Sequence, residues 1–364
     1  MDFRYSTEQV DLRNSLRGLL SEAAPPARVR EVAEADGYDQ RLWQRLCTEA
    51  DLPALHVPSE YGGADGSLVE AAIVFEELGR GLTPVPLAGT VFAIESVLRM
   101  GDDDQRRRLL PGLLSGELIG AFAATGPNAA DPSSARVGAV EAGGRIVLSG
   151  ECSPVLHGHI ADVFAVPAAQ RDGSLGWYLV TADAPGVSVA RLPSFDTTRP
   201  VARLTLQRTP AEALPLAAGW ERVLDVARVL LAAEMLGGAE ACLALSVDYA
   251  CSRKQFGRTI GSFQAVKHAC AEMMIEIDAT RVAVMFAAMS ATDPEELAIA
   301  APLVKAQAAD TFAMCSGSAM QVHGGIAFTW EHDIHMYFRR AKTTQAVFGS
   351  STHHRALLAD RARL

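Results

Sequence analysis

Apolar residues in the first third of the chain recur at helical spacing. Val10, Leu12, Leu16 and Leu19-Leu20 form one stripe, and Ser6-Thr7-Glu8 precedes it as a capping signal. A second helix is expected to begin near Asp39. The turn P-S-E-Y-G-G-A-D-G at 58–66 then breaks the pattern, and a helix follows from about Leu68 to Leu78. Gly101-Asp102-Asp103-Asp104 opens another, which ends in L-L-P-G-L-L-S-G-E at 109–117. From about 118 to 215 short apolar runs alternate with Gly, Pro, Asp and Ser: G-A-F-A-A-T at 120–125, R-I-V-L-S-G at 145–150, A-D-V-F-A-V at 161–166, W-Y-L-V at 177–180 and A-R-L-T-L at 202–206. That texture predicts a small β domain. Helical spacing returns from about Trp220. After Gly261, the residues Phe263, Val266, Cys270, Met273 and Ile277 fall at steps of three and four, a buried stripe whose methionines belong to the core. Residues 295–319 are rich in Ala and Ser, which permits close helix packing. The fold class expected is mostly α with a central β domain, divided as 1–118, 119–216 and 217–364.

At 364 residues the chain exceeds one ordinary core, which agrees with that division. A formal charge of −10 opposes binding to nucleic acid or an anionic membrane, since both need a basic face. The six cysteines are scattered without a C-x-x-C pair, as expected of buried thiols in a reducing compartment. No apolar h-region follows M-D-F-R-Y-S, and no run of about 18 uncharged apolar residues is present. A cytoplasmic protein without a membrane span is the expectation.

The chemistry concentrates in the last third. V-D-Y-A-C-S-R-K-Q-F-G-R-T-I-G at 247–261 is followed by S-F-Q-A-V-K-H-A-C-A-E-M and then by Q-V-H-G-G at 321–325. Arg253 offers a planar, permanently charged fork that suits phosphate oxygens. Gly324 and Gly325 lack a Cβ, so a ligand can approach their backbone closely. With P-S-E-Y-G-G at 58–63, this arrangement resembles the acyl-CoA dehydrogenases. The resemblance implies an N-terminal helical domain, a small β barrel or sandwich and a C-terminal four-helix bundle, with FAD as cofactor. It also implies α,β-desaturation of an acyl-CoA thioester and an electron-transferring flavoprotein as acceptor. Arg253, Gln255, Phe256, Gln264, Gln321, Gly324 and Gly325 match family positions that embrace the adenosine-pyrophosphate end of a neighbouring subunit's FAD. Ser350 and Thr352 replace a Thr and a Gln of the family's last motif and keep hydroxyls for weaker adenosine contacts.

Other family features are missing. A carboxylate must take the α-proton in a dry pocket while hydrogen bonds stabilise the enolate. The family's usual base lies in Y-E-G-T-x-Q, which reads V-F-G-S-S-T here and puts Phe348 in place of the glutamate. The alternative base, in E-R ahead of an apolar run, is Ala227, with Arg228 retained. On the flavin-ring side T-E-P-G-x-G-S-D reads T-G-P-N-A-A-D at 125–131, and W-I-T or W-I-S reads Pro154-Val155-Leu156. No catalytic residue is therefore assigned to this chain. Features that serve a partner's flavin survive, and those that serve its own do not. The pattern resembles the degenerate subunit of the heteromeric α2β2 enzymes known in actinobacteria, notably in steroid side-chain degradation. The homologous catalytic partner would hold the base and the acyl-CoA.

Two alternatives stand beside this reading: an active homo-oligomer with a displaced base, and a non-dehydrogenase flavoprotein or structural subunit on the same fold. For the first, Asp225, Glu234 and Asp248 are the nearby carboxylates. Asp225 lies about 200° around the helix from Ala227, on the wrong face. Asp248 falls in an exposed turn, and Glu234, set in an apolar run, is expected to be a buried or interface glutamate paired with an arginine. His323, His332, His335, His353 and His354 cluster late in the chain, but no ligand set is complete, so no metal is assigned. Arg339-Arg340-Lys342 reads as a solvated helix face, with CoA phosphates or an acidic partner as the alternative.

Overall fold

A computed structural model describes residues 3–124, 132 and 136–363. The motif at 125–131 lies outside the described residues. Six helices come first: α1 (Thr7–Ala23), α2 (Pro26–Glu34), α3 (Gln40–Thr48), α4 (Leu68–Arg80), α5 (Leu87–Met100) and α6 (Asp103–Ser115). Ser6, Ser67 and Asp102 open α1, α4 and α6 with reciprocal capping boxes, completed by Gln9, Glu70 and Gln105. Asp39 caps α3 by accepting from the Leu42 amide at 3.0 Å. Two helices go beyond the expected set. α2 begins on Pro26, where a missing N–H costs nothing at the first helical position. α5 is buried almost all round, so it carries no amphipathic stripe.

Seven strands follow: β1 (Gly120–Phe122), β2 (Arg136–Ala142), β3 (Arg145–Leu156), β4 (Val163–Ala169), β5 (Leu175–Thr181), β6 (Val187–Leu192) and β7 (Val201–Ala213). Pairing runs β4-β2-β3-β7-β5 and returns to β4, which closes a small barrel; β1 adds to β4 and β6 to β7. Leu148, Cys152, Val155, Phe164, Val166 and Leu204 fill it. Long β3 and β7 bend through register shifts at Leu148/Gly150 and Cys152/Val155, which lets one strand serve both sides of the barrel.

The last third holds α7 (Trp220–Ser252), a hairpin of β8 (Lys254–Gln255) and β9 (Arg258–Thr259), α8 (Gln264–Met289), α9 (Pro294–His323), α10 (Ile334–Ala346) and α11 (Ser351–Ala362). α7 is the central beam. By length and composition it could cross a membrane, yet 78% of its most apolar stretch is buried inside the fold. Glycines let α4 cross it backbone to backbone. A Cβ at Gly237 would lie 1.8 Å from the Glu76 carbonyl oxygen, and one at Gly79 would lie 2.0 Å from that of Glu234. On α8, Met273 and Ile277 are buried as expected, while Phe263, Val266 and Cys270 at its start are only half-buried.

Candidate functional site

Three helix ends meet at one end of the bundle. The last turns of α7 and α9 are joined by Tyr249 stacked on His323, with ring centroids 4.5 Å apart. His323 Nδ1 lies 2.8 Å from the Ala319 carbonyl. Arg253 leaves α7 in an extended conformation and leads into the β8–β9 hairpin. Phe256 and Gly257 form its turn with φ of 53° and 75°, the two positive angles that a tight two-residue hairpin needs. Phe256 stands 91% exposed, its edge toward Phe263 at 6.1 Å, and the Arg258 guanidinium covers the Phe263 ring at 4.1 Å. Gln264 opens α8 beside this turn, Gln321 lies in the last turn of α9, and Gly324 and Gly325 follow that helix. Gly324 has φ of 67° with open space where a Cβ would be. Among the described residues the Arg253 guanidinium has no hydrogen-bond or ion-pair partner. The surface is thus an exposed cation, an exposed aromatic ring and an accessible glycine backbone, a donor set suited to a phosphate-bearing aromatic ligand.

Ser350 and Thr352 lie elsewhere. Ser350 caps α11 by accepting from the His353 amide at 3.3 Å, and Thr352 is exposed one step into that helix. Arg355 ties the start of α11 to Asp310 on α9 at 2.5 Å. Gln321 is eleven residues further along α9, roughly 16 Å by helix rise. Within one chain these hydroxyls cannot share a small group with Arg253.

Both expected base positions are sealed. Ala227 is buried in the first third of α7. Phe348 is 2% exposed and holds φ of 56°. Its ring packs edge-on against Phe92 and Phe122, each with centroids 5.8 Å away, and Phe122 stacks flat on Trp177 at 5.2 Å. Val155 points into the barrel core, while Pro154 and Leu156 line a cavity of about 400 Å³ together with Phe122, Val347 and Phe348. None of these five side chains can donate to the polar edge of a flavin ring.

Two of the three nearby carboxylates are held by arginines. Glu234 accepts from both Arg199 and Arg340, the latter at 2.6 Å. Arg340 also donates to Asp196 at 2.6 Å and to the Thr198 hydroxyl at 2.6 Å. Burial raises the Asp196 carboxyl, but Arg340 and Arg199 outweigh it and hold it below the usual carboxylate range. Asp225 accepts from Arg228 at 2.6 Å and Arg361 at 2.8 Å, and Asp248 is exposed. Glu234 is therefore the paired, buried glutamate that its apolar setting predicts. The run Arg339-Arg340-Lys342 is not one solvated face, because Arg340 sits inside this network. No local spacing announces the network: Asp196 and Arg199, from the loop before β7, meet Glu234 of α7 and Arg340 of α10 across distant stretches of chain. Beside them Lys305 is wholly buried, donates to the Thr344 carbonyl at 3.2 Å and is pulled down to about 7, chiefly by burial and then by Arg228 and Arg199. Of the histidines, His332 faces His323 at 4.5 Å and His335 packs on Trp330 at 4.8 Å. Among the described residues no group of three His, Cys, Asp or Glu is placed to hold a metal.

The chain matches the family model "Acyl-CoA dehydrogenase, N-terminal domain" over residues 6–117 and "Acyl-CoA dehydrogenase, C-terminal domain" over residues 218–363. It is 38% identical to acyl-CoA dehydrogenase IpdE2 of Mycobacterium tuberculosis over 92% of this chain and 91% of that protein. Among solved structures it resembles a variant of the Tcur3481-Tcur3483 steroid ACAD, with TM-score 0.90, 33% identity and 98% of each chain covered. It also resembles the ChsE4-ChsE5 complex from Mycobacterium tuberculosis, with TM-score 0.91, 26% identity, and 100% of this chain and 99% of that chain covered. The chain belongs to the acyl-CoA dehydrogenase family.

Proposed function

We propose that this chain is the supporting subunit of a heteromeric, FAD-dependent acyl-CoA dehydrogenase. The observation that carries the reading is Phe348, a buried ring where the family's base would sit, locked between Phe92 and Phe122. A phenyl ring accepts no proton, and of the three carboxylates weighed as a displaced base, Asp225 and Glu234 are paired with arginines and Asp248 faces solvent rather than a dry pocket. Two solved neighbours are described as a steroid ACAD of two components and as a two-component complex, which favours a homologous catalytic partner in an α2β2 assembly and a steroid or lipid acyl-CoA as substrate.

The residues at the end of the bundle fit the phosphate and adenosine end of FAD. Arg253 would grip phosphate oxygens, Gly324 and Gly325 would admit the ligand to the backbone, and Phe256 would cover an apolar face. Gln255, Gln264 and Gln321 would supply amide hydrogen bonds. Bound in the partner's site, FAD supplies the acceptor for the β-hydride. The partner would contribute the carboxylate base, the acyl pocket and the contact with an electron-transferring flavoprotein. At this chain's own flavin-ring seat the described side chains Phe122, Pro154, Leu156 and Phe348 offer a flavin edge no hydrogen-bond donor. Arg253→Ala in the assembled complex tests the reading. Loss of a charge-assisted, bidentate contact should weaken FAD binding roughly 10- to 100-fold, as about 1.5–3 kcal/mol implies. FAD affinity unchanged in that variant would refute the assignment.

A further inference from the structure

The cavity of about 400 Å³ between the barrel and α10 has no part in the supporting role. Its floor is the edge-to-face pair Phe122 and Phe348, and Pro154, Leu156, Val201 and Val347 continue it in hydrocarbon. The volume is within the range of small-molecule sites, roughly 300–1,000 Å³. Its polar lining comes from Ser194, Thr343, Lys342 and Arg199. Phe195 also lines the cavity, and Arg339 is held between the Phe195 ring at 5.0 Å and the Trp330 ring at 4.7 Å. Lys342 lies 5.3 Å from the Phe338 ring. Among the described residues neither Arg339 nor Lys342 has a carboxylate partner. Asp196 and Glu234, on the inner side of α10, are buried and bound by Arg340 and Arg199, and Asp333 is paired with Arg30. Arg199 borders the cavity but is committed to Glu234 and the Thr344 hydroxyl.

A largely apolar slot with Lys342 in its lining, and Arg339 stacked on the lining residue Phe195 and donating to the Phe195 carbonyl at 3.3 Å, selects a molecule with a hydrocarbon body and one anionic end. We propose that this cavity is a binding site for an apolar organic carboxylate, with the body on Phe122 and Phe348 and the carboxylate at Lys342 and Arg339. The proposal rests on the reading that no flavin occupies this seat.

The test is a fluorescence titration of the full-length chain, purified with its partner, using pyrene-1-carboxylate as the probe and pyrene-1-methanol as its neutral counterpart. The expected result is saturable binding of one carboxylate probe per copy of this chain. Removing both charges with Arg339→Gln and Lys342→Gln should weaken it about tenfold, as two partly exposed charge contacts imply, and the neutral probe should bind about tenfold less tightly. Ala346→Trp, which places a large ring at an exposed position on the cavity wall, should abolish binding while the complex keeps its mass and flavin content. Absent saturation, equal affinity for the two probes, or binding untouched by Ala346→Trp would each overturn the proposal. Flavin content separates the two readings. One FAD per pair of subunits without probe binding sinks this site alone, whereas two FAD per pair would sink the supporting-subunit reading as well.

Discussion

Glu234→Gln distinguishes a structural glutamate from a displaced base. Glu234 is 5% exposed, Arg199 is 5% and Arg340 is 3%. With Asp196, at 1%, the four charges balance inside the fold. The substitution leaves one buried positive charge in excess. Arg340 keeps Asp196 at 2.6 Å, but Arg199 is left with the Thr344 hydroxyl at 3.1 Å. Breaking a buried pair from one side costs about 3–5 kcal/mol, and the amide oxygen still accepts, so the lower end applies. For a chain of 364 residues, whose unfolding entropy is about 2.1 cal/mol/K per residue, the melting temperature should fall by roughly 4 °C. Urea unfolding of the complex should show the same loss as a lower midpoint with an unchanged slope. Removing both partners with Glu234→Met and Arg199→Met should recover much of that stability, because the buried charge balances again. A Glu234→Gln variant with unaltered melting and no turnover would refute the argument, since that is how a catalytic base behaves.

Phe348→Glu should not make the isolated chain a dehydrogenase, because Pro154, Val155 and Leu156 still cannot seat the flavin ring; it should cost about 3 kcal/mol or more through lost ring packing. A working homomeric enzyme from that one change would show the flavin seat to be intact. Glu76 on α4 is buried and pushed up to about 8, first by burial and then by Glu240 and Glu77. Its folded value is raised, so its contribution is intact below the unfolded carboxyl range and is lost as pH climbs from about 4.5 to about 8. Glu76→Gln should therefore raise the melting temperature at pH 8 and leave it nearly unchanged at pH 4.5; the same gain at both pH values would contradict this.

Much of the fold is legible because helix caps and strand-turn alternation are local signals. Ser6, Asp39 and Asp102 each cap the helix their position announces. α5 carries no such signal, because a helix buried on all sides has no polar face to set its period. The loss of the base was readable at Phe348 and Ala227, since residue type alone decides whether a proton can be accepted. What replaced it was not. The aromatic packing of Phe348 draws on α5 and β1, and the Arg199–Glu234–Arg340–Asp196 network joins residues up to 144 positions apart. The separation of Ser350 and Thr352 from Arg253 was equally hidden, because it follows from the antiparallel docking of α11 on α9.

The central claim is tested most directly by counting flavin. The chain would be purified alone, then with the product of an adjacent dehydrogenase-like gene, and visible absorbance compared with subunit mass. A supporting subunit should be colourless or insoluble alone and form a yellow complex with one FAD per two chains. A yellow oligomer of this chain alone, with one FAD per chain, would contradict it.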